Sequence, residues 1–225
     1  ALGAQLDPEA ELNAFEQETY RAMQLGFSTN LIIHAFAVTA REVGISKDIV
    51  EPFFYSMRQD LTETEHTQET FDTYVYGSAE VVGLMCLAAF VHGGSYSKEE
   101  KIALVKGARA LGSAFQKVNF LRDLSADFKR LGRSYFPNVN VTNFDEQTKA
   151  RLVADIDEDL RVSAQSLPLL PKSARAAVTA AQLLFAELNR KIGNTEASKL
   201  IETRISVGNF TKLLLVVKSF LGAKP

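Results

Sequence analysis

The sequence predicts one all-α domain, and three observations carry that expectation. Apolar residues recur at helical spacing through most of the chain. Residues that start and stop helices bracket those runs. Alternating apolar and polar patterns between turn residues are nearly absent. With 225 residues, 46% of them apolar and 23% charged, the chain can bury a sizeable core. Residues 1–225 read as a single domain, without repeat, low-complexity tract or linker.

The elements follow in order. "LDPEAELNAFEQETYRAM" opens with Asp7 as cap, Pro8 at the first helical position and acidic residues in the first turn. "TNLIIHAFAVTAREVG" runs to Gly44, a natural stop. "EPFFYSMRQDL" forms a third segment, with Pro52 near its start or at a kink. "ETFDTYVYGSAEVVGLMCLAAFVHGG" is a long apolar stretch ended by Gly93 and Gly94. Ser97 and Glu100 then make a capping box for the helix that contains "LGSAFQKVNFLRDLSADFKRLGRSYFP". Beyond the loop "GRSYFPNVNVTNFD" come "EQTKARLVADIDEDLRVSAQ", "PKSARAAVTAAQLLFAELNRKIG" and "NFTKLLLVVKSFLG".

Several classes are excluded or disfavoured. A net charge of −2 gives no global pull toward nucleic acid, so anion binding must be local. One cysteine, Cys86, allows no intrachain disulfide, and His34, His66 and His92 are too scattered to suggest a metal cluster. No signal peptide opens the chain and no apolar run approaches the ~20 residues of a membrane span. A cytoplasmic protein is therefore expected. The tail "KLLLVVKSFLG" carries the apolar stripe and lysines of an interfacial helix, so peripheral membrane contact is an expectation too. At this length the tail reads first as the last packing helix of a bundle.

One helix carries unusual chemistry. Asn119, Asp123 and Asp127 recur every four residues, and with Asn119 at zero they fall within about 80° of one another. Gln116 falls near 60° and Arg130 near 20° on the same wheel. Arg122 stands beside this face, with Lys117 and Arg133 nearby in sequence, while Leu111, Phe115, Val118 and Leu121 mostly point elsewhere. Two carboxylates and two amides suit Mg²⁺ completed by water and phosphate oxygens, and nearby arginines suit the outer phosphates. A solvated face of an amphipathic helix is the alternative. The earlier apolar stretch places Tyr74, Gly77, Ser78, Val81 and Met85 where a smooth wall could form, with simple core packing as the other reading of Val81, Val82, Leu84 and Leu87.

Together these stretches resemble the squalene and phytoene synthases, head-to-head prenyl-diphosphate condensing enzymes. The family pattern Q-x-x-N-x-x-R-D-x-x-x-D is present as Gln116, Asn119, Arg122, Asp123 and Asp127. G-R-x-Y-x-P follows as Gly132, Arg133, Tyr135 and Pro137. The Y-C-x-x-V-A-G-x-V-G segment is similar to Tyr74–Gly83, and M-R-x-D-L appears as Met57 to Leu61. The resemblance covers most of the chain and is weakest after about residue 140.

The resemblance implies an isoprenoid synthase helical bundle around a central cavity that takes two allylic diphosphates. One C–O bond breaks with its electron pair leaving on diphosphate, the second chain attacks the allylic cation, and a cyclopropylcarbinyl diphosphate forms and rearranges. It implies Asn119, Asp123 and Asp127 as ligands for magnesium, or manganese in its place. Gln116, Arg122, Arg133 and Tyr135 would bind substrate, while Tyr74, Asp123 and Asp127 would be catalytic. The bulk of the motif region looks more like bacterial phytoene synthases, which implies two C20 geranylgeranyl diphosphates and a place in carotenoid biosynthesis. The alternatives are a squalene or dehydrosqualene synthase using two C15 farnesyl diphosphates, and a non-catalytic family member.

Two departures stand out. The family's earlier D-x-x-x-D motif is not found, so an N-terminally incomplete domain is expected. Asp155 and Asp159 share its spacing but lie in a charged segment, where solvation is the expectation. Glu80 replaces a family glycine, and its carboxylate must face the cavity mouth or find a partner. His34 reads as a satisfied core histidine, Cys86 as inert, and Asp60 as either cavity-side or a helix-end carboxylate.

Overall fold

The computed structural model describes residues 6–131, 135–139 and 141–222, with backbone alone for 125–131. Ten α-helices form among them and no strand. α1 (Pro8–Leu25) begins at Asp7, whose side chain accepts from the Glu9 N–H, and ends at Gly26 in the left-handed region, φ 74°. α2 (Leu31–Val43) is capped by Asn30, which accepts from the N–H groups of Ile32 and Ile33, and stops at Gly44, φ 78°. α3 (Lys47–Thr62) begins earlier than its proline suggested: Pro52 lies inside the helix.

The long apolar stretch is one helical path with a defect in it. α4 (Gln68–Val75) passes into a π turn (Tyr76–Glu80) and on into α5 (Val81–Val91). The extra residue of a π turn rotates everything after it relative to an ideal helix. Counting at 3.6 residues per turn from Tyr74 puts Gly77, Val81 and Met85 on the cavity wall. Of the expected wall Ser78 does line the cavity, but Ala79, Val82, Gly83 and Cys86 stand beside it in place of Val81 and Met85. Val81 is fully buried and Gly77 faces α3, where a Cβ would sit 2.1 Å from the Pro52 carbonyl oxygen. The path Gln68–Val91 is long and apolar enough to cross a membrane. The sequence expectation of no such segment was wrong because Glu69, Asp72 and Glu80 interrupt the apolar run.

α6 (Lys98–Leu131) is the axis of the bundle. Its start is the expected capping box, with the Glu100 N–H donating to Ser97 Oγ and the Ser97 N–H to Glu100 Oε2. It packs on the π turn, α5, α7 (Glu146–Ala164) and α8 (Lys172–Gly193). Its contact with the α4–α5 path is backbone against backbone. A Cβ on Gly112 would lie 2.5 Å from the Ala79 carbonyl oxygen, and one on Gly83 2.5 Å from that of Ala108. Val118 and Leu121, both fully buried, anchor the main core with Ile156 and Ile192.

The chain closes with α9 (Ala197–Leu200) and α10 (Asn209–Phe220). α10 packs on α8, but with Ser219 buried and Phe210, Leu213 and Phe220 facing outward. The expected last packing helix is therefore present with much of its apolar face uncovered.

Candidate active site

The polar face of α6 becomes an ion-pair centre at Asp123. Its Oδ2 accepts from Arg122 Nη2 at 2.6 Å, and its Oδ1 accepts from Arg204 Nε at 2.5 Å. Burial works against the charged carboxylate, but the hydrogen bonds and charges of the two arginines outweigh it and hold the Asp123 pKa below its ordinary value. Arg204 comes from the segment between α9 and α10, where the sequence carries no motif to announce it. Asn119 is half-buried one turn before Asp123. Asp127 lies one turn further along the α6 backbone, its side chain outside the described residues, and Arg133 lies outside them altogether.

Lys117 turns away from this face. Its Nζ donates to Asp155 at 2.6 Å and to Asp159 at 2.9 Å, and Ser113 also donates to Asp159. The expectation of simple solvation for Asp155 and Asp159 holds in part: the Asp155 side chain stays 57% exposed, Asp159 at 23% is drawn in, and both clamp α6 to α7. Both carboxylates are engaged with a half-buried lysine because α7 packs along that side of α6.

Tyr74 organises a second centre. It is buried, 4% exposed, and its hydroxyl donates to Asp60 at 3.0 Å and 3.1 Å. Burial first, then the neighbouring Asp60 charge, raises its pKa far above the ordinary tyrosine value, so the phenol stays protonated. Tyr135 packs beside it with ring centroids 5.6 Å apart and stacks on Phe120 at 4.1 Å and 9°. His66 stacks on the same tyrosine. Asp60 is thus the hydrogen-bond partner of the buried Tyr74, and neither residue lines the two cavities described below. His34, expected in the core, is half-buried, and its Nδ1 accepts from the Ser28 N–H at 3.4 Å. Glu80 pairs with Arg109 at 2.6 Å instead of facing a cavity alone.

Between α5, α6 and α8 runs an apolar groove of about 450 Å³. Gln116 and Ser78 stand at its polar end, Cys86, Leu111 and Phe115 along it, and Leu104 at the far end. Ser78 Oγ is buried without a hydrogen-bond partner, an uncommon state for a hydroxyl. Partial burial pushes the Cys86 thiol pKa up, in keeping with an unreactive cysteine. A wider cleft of about 790 Å³ lies over the Glu80–Arg109 and Lys117–Asp159 pairs. Two of its charge pairs are already made, Asp72, Lys101 and Lys106 also line it, and it lacks Gln116, so the narrower apolar groove is the better candidate for a hydrocarbon chain. The groove brings Gln116 in, while Tyr74 stands outside its wall beside Tyr135.

A sequence profile of the squalene/phytoene synthase family matches residues 3–211. The chain belongs to the squalene/phytoene synthase family. Its helical arrangement is that of the isoprenoid synthases. Squalene synthase HpnC from Alicyclobacillus acidocaldarius superposes with a TM-score of 0.72 at 18% identity, over 90% of this chain and 78% of that one. A dehydrosqualene synthase, solved in complex with ligand, gives 0.75 at 20% identity, over 96% and 79%. At these identities the likeness shows the shared fold. No curated protein matches the chain in sequence. Within the family's pattern, Ser78 occupies a valine position, and Arg204 lies where the resemblance is weakest.

Proposed function

We propose that this family member condenses two geranylgeranyl diphosphates head to head into phytoene, releasing diphosphate. The observation that carries the reading is the groove itself: an apolar channel with an amide and a hydroxyl at one end, on the helix that continues to Asn119 and Asp123. A molecule with a long hydrocarbon tail and an anionic head matches that distribution. The groove's apolar walls would keep water from an allylic cation once the exposed face at Val82, Cys86 and Phe90 is covered.

Arg122 and Arg204 are the anion-binding groups of this account, since guanidinium forks match diphosphate oxygens. Asn119 and Asp123, with Asp127 on the next turn, would hold magnesium. The donors fit a hard cation in chemistry: amide and carboxylate oxygens on one helix face. Among the described residues no three acidic, His or Cys side chains converge, so a cation there takes its other ligands from water and diphosphate. Magnesium, when bound, supplies charge that stabilises the departing diphosphate. Arg204, with its side chain 64% exposed, would exchange Asp123 for a phosphate oxygen. Tyr74, protonated and held by Asp60, packs against Tyr135 and Phe120 and is a positioning residue in this account rather than a base.

Farnesyl diphosphate as substrate is the second reading, and the two similar solved structures, a squalene and a dehydrosqualene synthase, favour it. The test of the site is calorimetric titration with inorganic diphosphate at fixed magnesium. Binding that needs magnesium and is lost in Asp123→Ala, with the fold intact by circular dichroism, is the expected result. Equal binding by the variant removes Asp123 from the metal role.

A further inference from the structure

We propose that Ser78 turns its hydroxyl oxygen toward the positive charge that ionisation leaves on the prenyl chain, and so lowers the barrier to loss of diphosphate. The inference rests on reading the groove as the isoprenoid site. Three serines line that groove. Ser163 Oγ donates to the Leu160 carbonyl and Ser166 Oγ to that of Ser163, both at 2.9 Å. Ser78 Oγ is buried and makes no such bond. The π turn explains why. A hydroxyl inside a helix commonly donates to the carbonyl four residues back, as Thr19 and Thr73 do here. For Ser78 that carbonyl belongs to Tyr74, and it accepts instead from Ser56 Oγ of α3 at 3.2 Å. Ser78 also sits at the centre of the turn, where the four-residue register is lost. Its hydroxyl is left to rotate among apolar neighbours, and a neutral hydrocarbon would give it no partner.

A reacting chain is not neutral. The Ala79 backbone lies against Gly112, so Ser78 stands about one helical turn, ~5 Å, from Gln116 along the α6 axis. Asn119 and Asp123 stand ~5 and ~10 Å from Gln116 in the other direction. A diphosphate held at those two residues brings the ionising end of its chain past Gln116 to the level of Ser78. When the C–O bond breaks, its electron pair leaves on diphosphate and positive charge spreads over the first and third carbons of the allyl unit. Ser78 forms no bond and gives up no proton. Its lone pairs stabilise the charge as a dipole, and the low dielectric beside Leu111 and Phe115 strengthens the effect.

The experiment compares the full-length natural protein with its Ser78→Ala variant by calorimetric titration in magnesium. Two probes are used, each in C15 and C20 lengths. One is the non-ionising thiodiphosphate, uncharged along its chain. The other is an aza diphosphate with a protonated amine in place of the third carbon. The variant is expected to lose ~10-fold or more for the aza probe and to keep the thiodiphosphate within about twofold. Single-turnover ionisation of the natural allylic diphosphate should slow by ~10-fold as well. Affinities for both probes unchanged in the variant, or equal losses for both, overturn the role of Ser78 and leave the groove assignment standing. Failure of the wild type to bind either length of thiodiphosphate overturns the groove assignment and this inference with it.

Discussion

Tyr74→Phe removes one hydroxyl and leaves a buried ring, and it tests the second centre cleanly. The ring contacts with His66, Phe120 and Tyr135 do not need the oxygen. What disappears is a buried hydrogen bond to the Asp60 carboxylate, and bonds to charged groups contribute about 1.5–3 kcal/mol. For a domain of this size that is a fall in Tm of roughly 3–12 °C. The assay is reversible urea unfolding of the wild type, Tyr74→Phe, Asp60→Ala and the double variant. A coupling energy of ~1–3 kcal/mol is expected. The same variant has a pH signature. Tyr74 has a folded-state pKa above its unfolded value near ~10, so its contribution is complete below that pH and is lost as pH rises beyond it. Tyr74→Phe should therefore flatten the alkaline limb of the stability curve, with Tyr20, also raised, keeping part of the slope. Coupling below ~0.5 kcal/mol together with an unchanged alkaline limb would refute the reasoning.

Other expectations follow from the same geometry. Arg204→Met should cost at most ~1 kcal/mol of stability, because the pair is exposed on the arginine side, yet weaken diphosphate binding about 10-fold or more by titration. Gly112→Ala should destabilise by ~1–3 kcal/mol in urea unfolding, since the new methyl meets the Ala79 backbone rather than a side chain that can turn. Ser78→Ala should leave stability unchanged or raise it, because the hydroxyl is buried without a partner, and an unfolding midpoint lowered by more than ~1 kcal/mol would show that a partner exists.

Much of this fold was legible because its signals are local. Asp7 with Pro8, Gly44, and Ser97 with Glu100 each announce a helix end through chemistry confined to a few residues. The polar stripe of α6 was legible for the same reason, since four-residue spacing alone gathers Asn119, Asp123 and Asp127. The π turn was not, because nothing in "YGSAE" requires the extra residue; the close approach of Gly77 to α3 accompanies it and is a tertiary fact. That one residue shifted the wall from Val81 and Met85 to Val82 and Cys86. Long-range partners were equally hidden. Arg204 reaches Asp123 across 81 positions and Asp159 reaches Lys117 across 42, distances over which sequence spacing carries no information.

The central claim is head-to-head condensation of two C20 chains. The most direct test incubates the full-length natural protein with geranylgeranyl or farnesyl diphosphate and magnesium, with and without NADPH, and weighs the lipid product by mass spectrometry. The account predicts a C40 hydrocarbon from the C20 substrate without need of NADPH. A C30 product from farnesyl diphosphate alone would move the assignment to the squalene branch, and no product from either substrate would contradict the claim.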